Sequence, residues 1–193
     1  MALVDRDQIR IRLAGKGGQG IMLGGAILAE AAMLDGKDVA ETQEYGPEAR
    51  LGATKADLII SKRQIAFPEV HNADFLLCLS RPAYLRYSKT LAKDGTMIAE
   101  ETLREEMGDS PQVVYLPMRA KALGLGSELY TNIIGLGALA ALSGAVTKES
   151  LENSIRSRVK VETVTANFAA LDLGYRLSSE ADAAGLAVSV NKT

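Results

Sequence analysis

Between residues 9 and 13 the chain alternates Ile9, Ile11 and Leu13 with Arg10 and Arg12 and then runs into glycines. That period of two predicts a first strand closed by a tight turn. Nearly every position from 19 to 34 is helix-compatible and the segment is apolar almost all round. The spacing therefore predicts a helix buried on more than one side, with Gly36 as its C-cap. Residues 38–42 predict a second strand, and the polar run 43–52, with its glycines and Pro47, reads as a loop of functional length. Residues 56–61 and the continuous apolar run 75–80 predict two central strands separated by a loop holding Pro68. Ser80 before Arg81-Pro82 is a helix-start signature, because the hydroxyl bonds an orphan amide and proline suits the first turn. Residues 96–99 and 113–116, the latter ended by Pro117, complete the strands.

Alternation of this kind from residue 9 to about 117 predicts an α/β fold, a three-layer Rossmann-like domain with a mostly parallel sheet and a core over about 9–145. Helices alone follow, at 132–143, 148–158 and 161–178, the last two forming a helical C-terminal extension over about 146–180. The first is apolar all round, holds Gly135 and Gly137, and is expected to be buried in this chain or against another. The last carries a single stripe of Val161, Val164, Phe168, Leu171 and Tyr175, suited to packing on the domain or to an intersubunit contact. At 193 residues the chain suits one domain, 1–193.

Charge removes one class of partner: 22 Lys and Arg against 24 Asp and Glu give a net charge of −2 and no basic stripe, so nucleic acid is excluded. The start lacks a signal-peptide pattern, which makes the cytoplasm the expected compartment. The longest apolar stretch, 133–146, is broken by glycine and falls short of the roughly 18–20 residues of a membrane span. The single cysteine, Cys78, excludes an intrachain disulfide and a self-contained iron–sulfur cluster, which takes about four thiolates. Within its apolar strand it reads as a small hydrophobe. His71 is the only histidine, so a surface or turn role is expected and no metal site.

Gly15-Lys16-Gly17-Gly18-Gln19-Gly20 satisfies G-x-G-x-x-G between a strand and a helix. Glycines there let main-chain amides approach an anion, the helix N-terminus adds a favourable dipole, and Lys16 adds a cation. Glu41, about 20 residues on, stands where a dinucleotide fold places its ribose-binding acid. Three readings stay open on this pattern: a dinucleotide, another phosphate ligand, or close packing of strand on helix.

One strand later comes Glu44-Tyr45-Gly46-Pro47-Glu48-Ala49-Arg50-Leu51-Gly52. Together with Gly17-Gly18-Gln19-Gly20 this string resembles the gamma subunits, and the corresponding fused domains, of the 2-oxoacid:ferredoxin oxidoreductases. The resemblance continues through Ile59-Ile60-Ser61, Ile65, Pro68 and Ala73-Asp74, returns at Asn132 and Leu136-Gly137-Ala138, and spans about 9–178. Residues 43–50 look closer to the 2-oxoglutarate type than to the pyruvate type. Leu51 departs from the family's frequent Arg-Gly-Gly, and because a leucine resists positive φ the loop backbone is expected to differ here.

The resemblance implies a complex that decarboxylates a 2-oxoacid on thiamine diphosphate, passes two electrons through [4Fe–4S] clusters to ferredoxin, and delivers the acyl group to coenzyme A. It places thiamine and clusters on partner subunits, alpha, beta and delta, with none bound by this chain alone. The isolated chain is then expected to be inactive, a homo-oligomer being one form open to it. No catalytic residue is assigned. Coenzyme A carries phosphates that need amides and cations, and the candidates are Gly15, Lys16, Gly17, Gly18, Gln19 and Gly20 together with Tyr45, Gly46, Glu48 and Arg50. Two alternatives remain: a purely structural subunit whose helix at 132–143 joins the catalytic subunits, and a free-standing nucleotide-binding oxidoreductase.

Overall fold

The computed structural model describes residues 7–45 and 52–183. All six expected strands form: β1 Gln8–Lys16, β2 Asp38–Glu44, β3 Ala53–Ser61, β4 Ala73–Cys78, β5 Leu91–Glu100 and β6 Val113–Leu116. They make one sheet in the order β2-β3-β1-β4-β5-β6. Five strands point the same way and β3 alone runs against them, pairing antiparallel with both β1 and β2. The cause is chain length. Residues 45–52 are too few for a parallel crossover, which takes about a dozen or more, so β2 and β3 are joined as a hairpin.

Helices cover both faces. On one side Ile11, Leu13, Leu58, Phe75, Leu77 and Ile98 meet α1 (Ile21–Leu34), α5 (Thr131–Ser143), α6 (Lys148–Arg158) and α7 (Val164–Ala183) in one continuous apolar cluster. On the other, Ala14, Leu76, Cys78 and Met97 meet Ala83 and Tyr87 of α2 (Arg81–Tyr87) and Leu103, just ahead of α3 (Arg104–Met107). The three layers follow from this division of the strand residues. Two short helices were not expected from the sequence: α3, and α4 (Met118–Gly124), which starts straight after Pro117.

The sequence left open whether the apolar helix at 132–143 is buried in this chain or against another. It is buried here. Ile134, Leu136 and Leu139 of α5 are fully enclosed, Gly135 lies on Leu77 of β4, and Gly137 lies on Gly174 of α7. The C-terminal helices thus return to the sheet and finish its core. No helix among the described residues is long and apolar enough to cross a membrane.

Candidate functional site

The glycine loop sits at the C-terminal edge of the sheet, where β1 and β4 lie parallel and the chain leaves β1 for α1 on one face and β4 for α2 on the other. Such a switch point opens a crevice in α/β sheets. The strand runs further than the sequence suggested, because Gly15 and Lys16 still pair with Thr54 and Ala53 of β3. The turn itself is therefore 17–20. Gly18 and Gly20 hold φ of 88° and 70°, a region costly for any side chain, and Gly20 caps α1 with no side-chain bond.

The six motif residues divide by role. Gln19 is consumed internally: its Oε1 accepts the Lys16 amide at 2.8 Å and its Nε2 donates to the Leu79 carbonyl at 3.1 Å, tying the turn to the end of β4. Gly15 leaves room for that side chain. Gly20 leaves room for Asn132, whose Nδ2 donates to the Gly20 carbonyl at 3.1 Å. Gly17 and Gly18 instead face open space, and Lys16 is exposed and makes no ion pair among the described residues. Packing accounts for three members of the motif and leaves three free to meet a ligand.

The second loop reaches the same edge. Pairing of Lys16 with Ala53 sets Gly52 beside the glycine turn, and Tyr45, 71% exposed, leaves the end of β2. Gly46, Glu48 and Arg50, with Leu51, lie outside the described residues. A charge ladder that sequence reasoning missed links β2, β3, β1 and α2. Arg86 Nη2 donates to Glu44 at 2.6 Å, Lys55 lies 3.5 Å from Glu44 and 2.8 Å from Asp57, and Arg12 clasps Asp57 through Nε at 2.6 Å and Nη2 at 2.8 Å. Arg12 and Asp57 are only 2% and 3% exposed. Arg12, Lys55 and Arg86 all stand within 5.4–5.9 Å of the Tyr87 ring centre, where the ring face attracts cations. The signal in the sequence was Asp57 set directly against the apolar run Leu58-Ile59-Ile60, a charge that needs a buried partner.

The dinucleotide role of Glu41 fails on topology. In a dinucleotide fold the second strand adjoins the first; here β3 lies between them, moving β2 about 10 Å away at two strand spacings. Glu41 sits beneath α1 in the space that Gly25 leaves, and accepts from Gln43 at 2.7 Å. Cys78 offers no ligand or nucleophile, because burial pushes its thiol up to about 12. His71 is exposed, 3.4 Å from Glu69.

A glycine turn at a sheet switch point, an antiparallel β3 inside an otherwise parallel sheet and a hairpin loop at the same edge define a specific α/β architecture. The chain belongs to the pyruvate ferredoxin/flavodoxin oxidoreductase family, whose pattern matches residues 10–177. It is 40% identical over 175 residues to the 2-oxoglutarate synthase subunit KorC of Methanocaldococcus jannaschii, spanning 88% of this chain and 94% of that relative. The crystal structure of a keto/oxoacid ferredoxin oxidoreductase gamma subunit from Geobacter sulfurreducens matches with a TM-score of 0.79 at 36% identity, over 89% of this chain and 99% of that one. The same fold recurs, with a TM-score of 0.82 at 21% identity over 91% of this chain, in 32% of a longer chain: the 2-oxoglutarate:ferredoxin oxidoreductase of Magnetococcus marinus, solved with 2-oxoglutarate, coenzyme A and succinyl-CoA bound. The resemblance read from the ordered motifs was to the family that these matches establish.

Proposed function

We propose that this chain is the gamma-type subunit of a 2-oxoglutarate:ferredoxin oxidoreductase, working in the cytoplasm as one domain, and that it helps to hold coenzyme A at the shared loop edge. The full-length likeness to a 2-oxoglutarate synthase subunit supports the choice of 2-oxoacid. In the proposed reaction 2-oxoglutarate loses carbon dioxide, two electrons pass to ferredoxin, and the succinyl group ends on the coenzyme A sulfur. Thiamine diphosphate and [4Fe–4S] clusters, held by alpha, beta and delta partners, supply the decarboxylation and the electron relay. This chain's own residues do not fit a cluster, since its one thiol is enclosed in β4. Its part is to bind and orient, and alone it is inactive.

One observation carries the coenzyme A reading: Gly17 and Gly18 face open space at the start of α1, beside the exposed Lys16, on the sheet edge from which the Arg50 loop springs. Backbone amides, a helix dipole and nearby cations together make an anion site. Calorimetry on the assembled complex tests it with Gly18→Ala and Arg50→Ala. Coenzyme A affinity is expected to fall about tenfold in each, the loss of roughly one charge-assisted contact. Unchanged affinity and turnover in both would take these loops out of the site.

The purely structural alternative loses its main support, because the apolar residues of α5 are spent inside this chain. The free-standing nucleotide oxidoreductase loses its ribose acid to the position of β3.

A further inference from the structure

β2 is an edge strand, paired with β3 on one side and with no other strand. Across Asp38–Glu44 no main-chain group facing away from β3 has a hydrogen-bond partner among the described residues. Folded proteins blunt such edges with lysine, proline, a bulge or a very short strand, because an open row of donors and acceptors templates another strand. The opposite edge follows that rule, since β6 is four residues long and is followed by Pro117. β2 does not: it has seven residues, no lysine or proline, and an unbroken register on β3. Beside its first half lies a cleft of about 600 Å3, lined by Met33 of α1, by Asp38, Val39 and Ala40, and by Ile65 and Pro68 of the connection to β4. Val39 packs toward the α1 cluster and Ala40 toward Ile65. Met33 is 66% exposed.

Charge decides what fits there. Lys37 lines the cleft, but its Nζ donates to the Ala145 carbonyl at 2.6 Å and lies 3.7 Å from Asp35. Asp38 is exposed and makes no ion pair among the described residues. We propose that the β2 edge accepts, as a seventh strand of the sheet, an extended segment of another polypeptide that alternates basic and apolar residues. Its main chain pairs with the open groups of β2, its apolar side chains lie on Val39 and Met33, and its cations meet Asp38. The alternation follows from the strand period, because Asp38 and Val39 point to opposite faces. A second copy of this chain is the wrong occupant. Residues 38–44 hold Asp38, Glu41 and Glu44 and no cation, so two-fold pairing about Glu41 sets acid against acid, and no register within them brings Asp38 a base. Asp38 lies about 20 Å along β2 from Glu44 and the loop edge, so this surface is separate from the proposed coenzyme A site.

The full chain is titrated with a capped seven-residue peptide of alternating valine and lysine, with the same peptide N-methylated at every residue, and with a version carrying glutamate in place of lysine. The lysine peptide is expected to bind at least about tenfold more tightly than the N-methylated one, which has lost its main-chain donors. It is expected to bind about fivefold more tightly than the glutamate one. In Asp38→Lys that second preference reverses, and because Asp38 is exposed the melting temperature stays that of the wild type. Hydrogen exchange of the β2 amides that face away from β3 is fast in the free chain and slows with the lysine peptide. No binding of that peptide, equal binding of its N-methylated form, or a preference indifferent to Asp38→Lys overturns the proposal. Slow exchange of those amides in the free chain overturns it too: with a monomer in sedimentation this chain covers its own edge, and with a dimer a second copy does.

Discussion

Asn132 holds Gly20 from the far end of the fold: its Nδ2 donates to the Gly20 carbonyl at 3.1 Å while its Oδ1 accepts the Ile133 amide at 2.8 Å. One buried side chain therefore fixes both the entry of α1 and the first turn of α5, and the shape of the glycine turn depends on a residue 112 positions away.

That relationship makes Gly20→Ala costly for two separable reasons. The left-handed backbone strains any side chain by about 1–3 kcal/mol, and the added methyl would strike the Asn132 amide. Asn132→Ala removes the obstacle, so in a double-mutant cycle followed by urea unfolding the two costs should sum to more than the double variant loses. Strict additivity would mean that the contact does not shape the turn.

Asp57 and Arg12 are not equal partners. Without Arg12, Asp57 keeps Lys55 at 2.8 Å, but without the Asp57 charge, buried Arg12 keeps only neutral neighbours, the Val70 carbonyl, the Thr90 hydroxyl and the Tyr87 ring face. Breaking a buried pair costs about 3–5 kcal/mol, and Asp57→Asn is expected at the upper end with Arg12→Met at the lower. Denaturant midpoints in the opposite order would refute the ladder.

Glu100, 4% exposed at the end of β5, accepts the Arg119 amide at 2.9 Å, and burial raises its carboxyl above the ordinary value of 4.5. As pH climbs through that ordinary value the unfolded chain ionises first, so stability falls until the raised folded value is passed and then stays lower. Glu100→Gln keeps an acceptor and carries no such penalty. Its stability relative to the wild type should rise from acid to neutral pH, and a pH-independent difference in unfolding free energy would contradict the assignment.

Where α5 crosses α7, a Cβ on Gly174 would lie 2.9 Å from the Gly137 Cα and would strike the Ile134 carbonyl. Backbone cannot swing aside as a side chain can, so Gly174→Ala is expected to cost at least about 1–3 kcal/mol. Thermal unfolding reads this directly, and a melting point equal to that of the wild type would show that the helices slide freely.

Strand positions were legible because apolar runs such as 75–80 declare burial whichever way they point. Direction was not: β3 is buried along most of its length, and a strand covered on both faces carries no periodic mark of orientation. The loop length between β2 and β3 held that information. Arg12 looked like the polar half of an alternating strand, since its partner lies 45 residues on and only tertiary pairing shows them together. Gln19 was grouped with ligand-facing residues for a similar reason, as nothing local reveals that its amide spans to Leu79.

The central claim, a gamma-type subunit of a 2-oxoglutarate:ferredoxin oxidoreductase, is tested most directly by native purification of this chain with its partners, followed by assay of ferredoxin reduction and of bound thiamine and iron. The account predicts co-purifying subunits that hold both and a ferredoxin reduction that requires 2-oxoglutarate and coenzyme A together. A solitary chain, or a complex free of thiamine and iron that ignores 2-oxoglutarate, would contradict it.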